Sequence, residues 1–306
     1  NENAIIFAFD PNGNTIFAYA FDKGTGFSPS FATDVALDYN PFSTGVAIYV
    51  VGYAFYNDYD GFLAKFDNTG ALLFYKTFGD GKREHPQAVA VDNYGFVYVA
   101  GHTNSFSAGG DYDVFVAKFD KFGTLQWFNT YDTSANDFAT SIAVGDDVIY
   151  ISGTTYVSGN ADAFYAKLDA AGNLVYAFRS GLAGDDFGNK LRTNVHSSQD
   201  VFFVNLVGYS SASAPSSFAS LSLTVGTPTV TVDDRTSIIS TQSITPYTPS
   251  ASIATVPSSS INIPDNANQR AYVYKFDPQV EINTSTDLPI NIIYLLAILV
   301  GTGITI

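Results

Sequence analysis

A repeat of roughly fifty residues runs through this chain, and it settles the fold class before composition is consulted. Three copies align. The first holds apolar segments at Asp34–Asp38, Val46–Tyr53, Asp60–Asp67 and Ala71–Thr77. The second holds them at Ala88–Asp92, Phe96–His102, Asp113–Asp120 and Thr124–Thr130, and the third at Ser141–Val144, Val148–Thr154, Asp162–Asp169 and Asn173–Phe178. The repeat glycines Gly52, Gly101, Gly153 and Gly208 are separated by 49, 52 and 55 residues (101 − 52, 153 − 101, 208 − 153). Within a segment the side chains alternate with period two, Phe62, Ala64 and Phe66 against Leu63, Lys65 and Asp67, which is the period of a strand. Turn residues such as Asp67-Asn-Thr-Gly70 separate the segments. Four antiparallel strands per unit make the blade of a β-propeller.

The third-strand segment recurs more loosely at 3–10, 217–223 and 270–277. The expectation is therefore an all-β propeller of about six four-stranded blades, seven if sequence precedes Asn1, followed by an apolar C-terminal tail. The corresponding boundaries are a propeller over 1–279, with blade units 1–30, 31–86, 87–139, 140–191, 192–240 and 241–279. A linker over 280–289 and the apolar segment 290–306 follow.

Composition agrees and narrows the partners. Aromatics make up 15%, with 26 Phe and 20 Tyr against one Trp, residue types that favour half-buried pleated surfaces. The formal charge of −15 and the lack of any Lys/Arg cluster exclude nucleic acid as a partner, because a phosphate backbone is held by clustered cations. There is no Cys, which rules out disulfides, thiolate metal sites and Cys nucleophiles. The chain starts at Asn1 rather than Met, which reads as a processed terminus and an exported protein.

The repeated pattern resembles the SBBP family of β-propeller repeats. It shares a strand ending in Asp, then a strand ending in Gly plus Tyr, His or Thr. Asp-small-Phe-x-Ala-Lys-Phe-Asp and a Gly turn follow. The likeness covers Phe31 to Phe178 well and the flanks loosely. It implies a propeller and an exported protein, and it names no activity.

Lys65, Lys118, Lys167 and Lys275 occupy equivalent positions and are read as structural, each lying along the sheet and pairing with a repeat Asp such as Asp67 or Asp120. Asp60, Asp113 and Asp162 read as turn or cap acceptors. Asp58 with Asp60, and Asp111 with Asp113, place two carboxylates close together and are the Ca²⁺ candidates, although the full twelve-residue Ca²⁺ loop is absent. Asp146-Asp147, Asp185-Asp186 and Asp233-Asp234 read as solvated turns. His85, His102 and His196 are the only histidines and show no metal-ligand spacing. No nucleophile elbow or phosphate loop is present, so neither catalytic residues nor a cofactor is expected. Asn283-Thr-Ser285 is a glycosylation sequon.

Residues 290–306 contain no charge. As a helix they would span about 25 Å, slightly less than a ~30 Å hydrocarbon core, and are read as a membrane anchor. The rival reading is a strand that closes the ring or inserts into a neighbouring copy. The functional expectation is a non-enzymatic scaffold or recognition module at the cell surface. Its partners would be surface or membrane proteins, copies of itself, or glycans. The alternatives are a filament subunit joined by C-terminal strand exchange and a secreted polysaccharide-acting enzyme.

Overall fold

The computed structural model describes residues 4–9, 15–22, 29–38, 45–56, 58–107, 109–145, 147–157, 159–180, 184–194, 203–210, 218–236 and 240–243. Lys275, Asn283, His196 and the tail 290–306 lie outside them. Among the described residues there is no helix; twenty strands form five antiparallel sheets. Sheet I contains β1 (Ile5–Phe9) and β2 (Thr15–Asp22). Sheet II contains β3 (Ser30–Asp38), β4 (Ala47–Phe55), β5 (Tyr59–Phe66) and β6 (Leu72–Gly79). Sheet III contains β7 (Glu84–Val91), β8 (Val97–Thr103), β9 (Asp113–Phe119) and β10 (Leu125–Asp132). Sheet IV contains β11 (Asp137–Gly145), β12 (Val148–Thr155), β13 (Asp162–Asp169) and β14 (Leu174–Ser180). Sheet V pairs β15 (Asp186–Asn194) with β16 (Phe203–Ser210).

Consecutive sheets pack face to face, and the leading strands β3, β7, β11 and β15 touch in succession. A sheet covered on both sides needs apolar residues at every position, and period two then sends alternate side chains to different cores. Strand β9 does this. Val114 and Val116 enter the core shared by sheets III and IV, while Phe115, Ala117 and Phe119 enter the core between II and III. Likewise Phe62, Ala64 and Phe66 fill the core between I and II, and Leu63 fills the next one. The hairpins between third and fourth strands are closed by an Asp. Asp67 Oδ1 accepts from the amides of Thr69 and Ala71, and Asp120 and Asp169 repeat the pattern. Gly70, Gly123 and Gly172 supply the left-handed residue such turns require, with φ between 80° and 87°.

The repeat glycines have a specific cause. Each leading strand carries a β-bulge at the same place, after Ala32, Pro86, Ala139 and Gly188. These four residues lie opposite Gly52, Gly101, Gly153 and Gly208. The bulge pushes the preceding carbonyl toward the second strand, so a Cβ on Gly52, Gly101 or Gly153 would overlap the carbonyl oxygen of Phe31, His85 or Phe138. The bulge also ties neighbouring sheets. Thr33 Oγ1 donates to Pro86 O at 2.9 Å, and Thr140 Oγ1 donates to Gly188 O at 2.6 Å.

Residues 218–243 do something the sequence pattern does not anticipate. The sequence pattern places the third strand of a further blade at 217–223; instead the strand Phe218–Ser220, which lies within it, begins a belt. The belt comprises β17 (Phe218–Ser220), β18 (Thr224–Gly226), β19 (Thr231–Asp234) and β20 (Ser240–Ser243), which pair with β14, β10, β6 and β2 respectively. Each is the outermost strand of its sheet, the fifth in sheets IV, III and II and the third described strand of sheet I, so the belt visits sheets IV, III, II and I in reverse order. Phe218, Val225 and Val232 lie opposite the equivalent residues Ser180, Tyr131 and Phe78, seven residues apart (225 − 218, 232 − 225). Seven extended residues reach about 23 Å, enough to step between the splayed outer edges of adjacent sheets. Leu221 and Leu223 insert into the III/IV core, and Val230 and Val232 into the II/III core. Asp233-Asp234 is solvent-exposed as expected but lies on a strand rather than in a turn. Asp234 pairs with Lys76 at 2.6 Å, which helps hold its carboxyl near about 2.

Candidate functional site

Two features converge where third strands begin and leading strands begin: a line of carboxylates at the sheet junctions and a band of aromatic rings beside it. The register that aligns Gly61, Val114 and Ala163 as equivalent also aligns Asp60, Asp113 and Asp162. Each sits at a junction where the next sheet starts with an acid, Glu84, Asp137 or Asp186. Glu84, Asp113, Asp137, Asp162 and Asp186 are all at most 4% exposed, far from the expected roles of turn caps for Asp113 and Asp162 and a solvated turn for Asp186. The equivalent backbone bonds Asp137 N→Tyr112 O and Asp186 N→Ala161 O, both 2.6 Å, fix the acids there.

The three junctions meet this charge differently. Between sheets II and III, Glu84 accepts hydroxyl hydrogens from Thr103 (2.9 Å) and Ser105. Burial still pushes its carboxyl up to about 7. A Cβ on Gly79 would overlap Glu84 Oε2 and lie 2.8 Å from Asp60 Oδ1, so glycine makes room for both acids. Between IV and V, Arg179 forms an ion pair with Asp162. Between III and IV, the position of Gly79 is taken by Asp132. Asp111, Asp113 and Asp132 come together there, one oxygen of each within 4.8 Å of the others. Asp137 stands behind them, accepting from the amide and hydroxyl of Thr133. Burial, and then the charges of Asp132, Asp111 and Asp137, push Asp113 up to about 7.

Of the four Ca²⁺ candidates, the structure thus brings Asp111 and Asp113 together with a third ligand. Asp58 instead accepts from the Tyr59 amide, and Asp60 faces Glu84. Asp132 was missed because only the fourth-strand register places it beside Asp113; its signal is the change from Gly79 to Asp132 at equivalent strand ends.

Among the described residues no ion pair joins Lys65, Lys118 or Lys167 to Asp67, Asp120 or Asp169, whose carboxylates accept turn amides. Lys65 donates to Lys121 O at 2.8 Å and lies over the Tyr49 ring, Lys118 lies 4.2 Å from the Phe96 ring centre, and Lys167 lies over Tyr150 and Tyr176. Desolvation lowers the Lys65 pKa. These contacts retain the structural role and replace carboxylates with ring faces. Gly208 is described through its backbone, opposite Gly188.

The aromatic band crosses sheets II, III and IV. Tyr53 stacks on His85 at 4.2 Å and meets Phe31 and Tyr59. His85 meets His102, which meets Tyr112 and Phe138, and Phe138 meets Tyr156. All these rings are partly exposed, with Tyr156 at 38%. His85 occupies the position of Phe31, Phe138 and Phe187, and His102 that of Tyr53, Thr154 and Tyr209. Burial lowers both, His102 to about 3, so they act as neutral rings. Arg83 lies over Tyr59 at 5.6 Å. Asp58-Tyr59-Asp60 and Asp111-Tyr112-Asp113 are therefore one motif, the tyrosine joining the band and the second Asp entering the junction.

Residues 85–106 match the family model for the SBBP β-propeller repeat. The match spans most of β7, all of β8 and the histidines of the band. A search of curated proteins finds no match to the chain.

Proposed function

From a chain whose residues 85–106 are an SBBP β-propeller repeat, we propose a non-enzymatic, extracellular propeller-type module. It acts as a scaffold at the cell surface and recognises neutral glycans through the aromatic band. The observation that carries this reading is the band itself: rings from three sheets in continuous contact, each partly open to solvent. Sugar rings present apolar C–H faces that stack on such rings, and Tyr adds a hydroxyl at little entropic cost. The net charge of −15 disfavours polyanions. The belt supports the scaffold role by covering sheet edges that would otherwise template other strands.

Affinity electrophoresis of the full chain through gels containing neutral or acidic polysaccharides tests the proposal. Retardation by a neutral polysaccharide, lost in Tyr53→Ala and Tyr156→Ala, is the expected result. Unretarded migration in every gel, or release of reducing ends by the wild-type chain, would overturn it; the latter would favour the enzyme alternative.

A second reading, assembly of copies by strand pairing, rests on sheet I. Among the described residues β1 pairs only with β2, and β16 only with β15, so sheet I holds third and fourth strand positions and sheet V first and second. Ile5, Phe7 and Phe9 of β1 and Ile16 of β2 are 45–58% exposed. Light scattering over a hundredfold concentration range that reports monomer throughout would sink this reading.

A further inference from the structure

We propose that Asp111, Asp113 and Asp132 form a Ca²⁺ site that locks sheet III to sheet IV. Ca²⁺ takes oxygen ligands at 2.3–2.6 Å, so two oxygens on one ion are separated by at most about 5 Å. The three carboxylates meet that limit, with one oxygen of each within 4.8 Å of the others.

Proximity of acids alone would not mark a site, since exposed carboxylates cluster without ions. Asp113 supplies the second observation. It is 4% exposed, and its Oδ1 is buried without a hydrogen-bond partner. A buried carboxylate oxygen left unpartnered among like charges is costly, and a cation removes both the missing contact and the repulsion. The surroundings point the same way. Asp111 is oriented by the Ser107 hydroxyl and Asp132 by the Ser134 amide, leaving the second oxygen of each carboxylate available.

The neighbouring junctions show what the site lacks. The equivalent Asp162 has Arg179 as its counter-ion. The residue corresponding to Arg179, opposite the third-strand Phe, is Thr130 in sheet III. Among the described residues no Lys, Arg or His forms an ion pair with Asp111, Asp113, Asp132 or Asp137. At the II/III junction Gly79 stands where Asp132 stands, so the third ligand is absent there. A bound Ca²⁺ would thus do for the III/IV junction what a guanidinium does for the IV/V junction. A partly exposed site with three carboxylates fits the millimolar to submillimolar affinities of extracellular Ca²⁺ modules.

The test uses the full chain after chelator treatment, with Tb³⁺ luminescence excited through tyrosine and Ca²⁺ competition as the probes. Tyr112, between two of the ligands, is the expected antenna. One high-occupancy site with a Ca²⁺ Kd below about 1 mM is expected, and Asp113→Asn should weaken it at least tenfold. Because Asp113 is buried, Asp111→Asn and Asp132→Asn provide partly exposed variants that should weaken binding similarly. Asp147→Asn, an exposed acid elsewhere, should leave it unchanged. Failure of Ca²⁺ to compete below 10 mM, or equal binding by all three ligand variants and the wild type, would overturn the proposal.

Discussion

Replacing Gly101 by Ala should cost far more than a glycine substitution in an open turn, and the structure sets the size of the difference. A Cβ at Gly101 would overlap the His85 carbonyl oxygen and lie 2.8 Å from both the His85 carbonyl carbon and Phe115 Cε1. None of these can swing away as a flexible chain end would. The backbone of β7 must move at its bulge, or β8 must leave it. Overpacking costs about 1–3 kcal/mol, and losing one or two ladder bonds beside the bulge adds about 1 kcal/mol each. The expected total is about 3–4 kcal/mol. Gly81 is the control. It has φ +82° with nothing within 4 Å of a new Cβ, so Ala there meets only the left-handed backbone penalty of about 1–2 kcal/mol, part of it offset in the unfolded chain. The single Trp, Trp127 in β10 of the same sheet, gives the fluorescence signal for urea unfolding. With a slope near 3 kcal/mol/M, Gly101→Ala should lower the midpoint by about 1 M. A midpoint for Gly101→Ala equal to that of Gly81→Ala would refute the bulge as the reason for the repeat glycine.

Two pH-dependent predictions follow from the buried groups. Glu84 is pushed up to about 7 by burial, so the folded state holds its proton more tightly than the unfolded state. Stability from this group is present at low pH and lost as pH rises through about 7. Glu84→Gln, which mimics the protonated form, should gain up to about 2–3 kcal/mol relative to wild type between pH 5 and pH 8, measured by urea midpoints; a constant difference would contradict it. His102 has the opposite sign. Its folded pKa is lowered to about 3 by burial and then by His85, so stability is lost as pH falls below its ordinary value of 6.5. His102→Phe should therefore gain on wild type as pH falls from 7 to 4 in thermal melts, and a parallel pair of profiles would rule this out.

What could be read from the sequence divides along a physical line. Strands β3 to β14 were legible because each belongs to a sheet flanked on both faces, so burial imprints on the sequence, as in Val97-Tyr-Val-Ala100. The spacing of Gly52, Gly101 and Gly153 was equally clear, yet its cause was not, because the bulge that crowds each glycine lies on another strand. The belt was illegible for the converse reason. Strands β17 to β20 hold three or four residues, and their partners are edges 38 to 224 residues earlier (218 − 180 to 243 − 19). Its trace in the sequence is the seven-residue spacing of Phe218, Val225 and Val232. The acidic site was half legible: Asp111-Tyr112-Asp113 stands out, whereas Asp132 joins it only through the β9–β10 register. The partners of Lys65, Lys118 and Lys167 were not legible because Asp67, Asp120 and Asp169, nearest in sequence, accept turn amides, and these lysines lie over ring faces.

The belt is the feature on which the scaffold depends, and a chain with no Cys allows it to be tested cleanly. Lys76 and Asp234 face each other across β6 and β19 and already form an ion pair at 2.6 Å. Directly opposed residues place their Cβ atoms about 4.5–5.5 Å apart, within reach of a disulfide after a small adjustment. Lys76→Cys combined with Asp234→Cys should form a linked peptide on mild oxidation, identified by mass spectrometry. Lys76→Cys with Val225→Cys, whose second site pairs with sheet III, should not. Equal cross-linking of both pairs, or none in the first, would contradict a belt in this register.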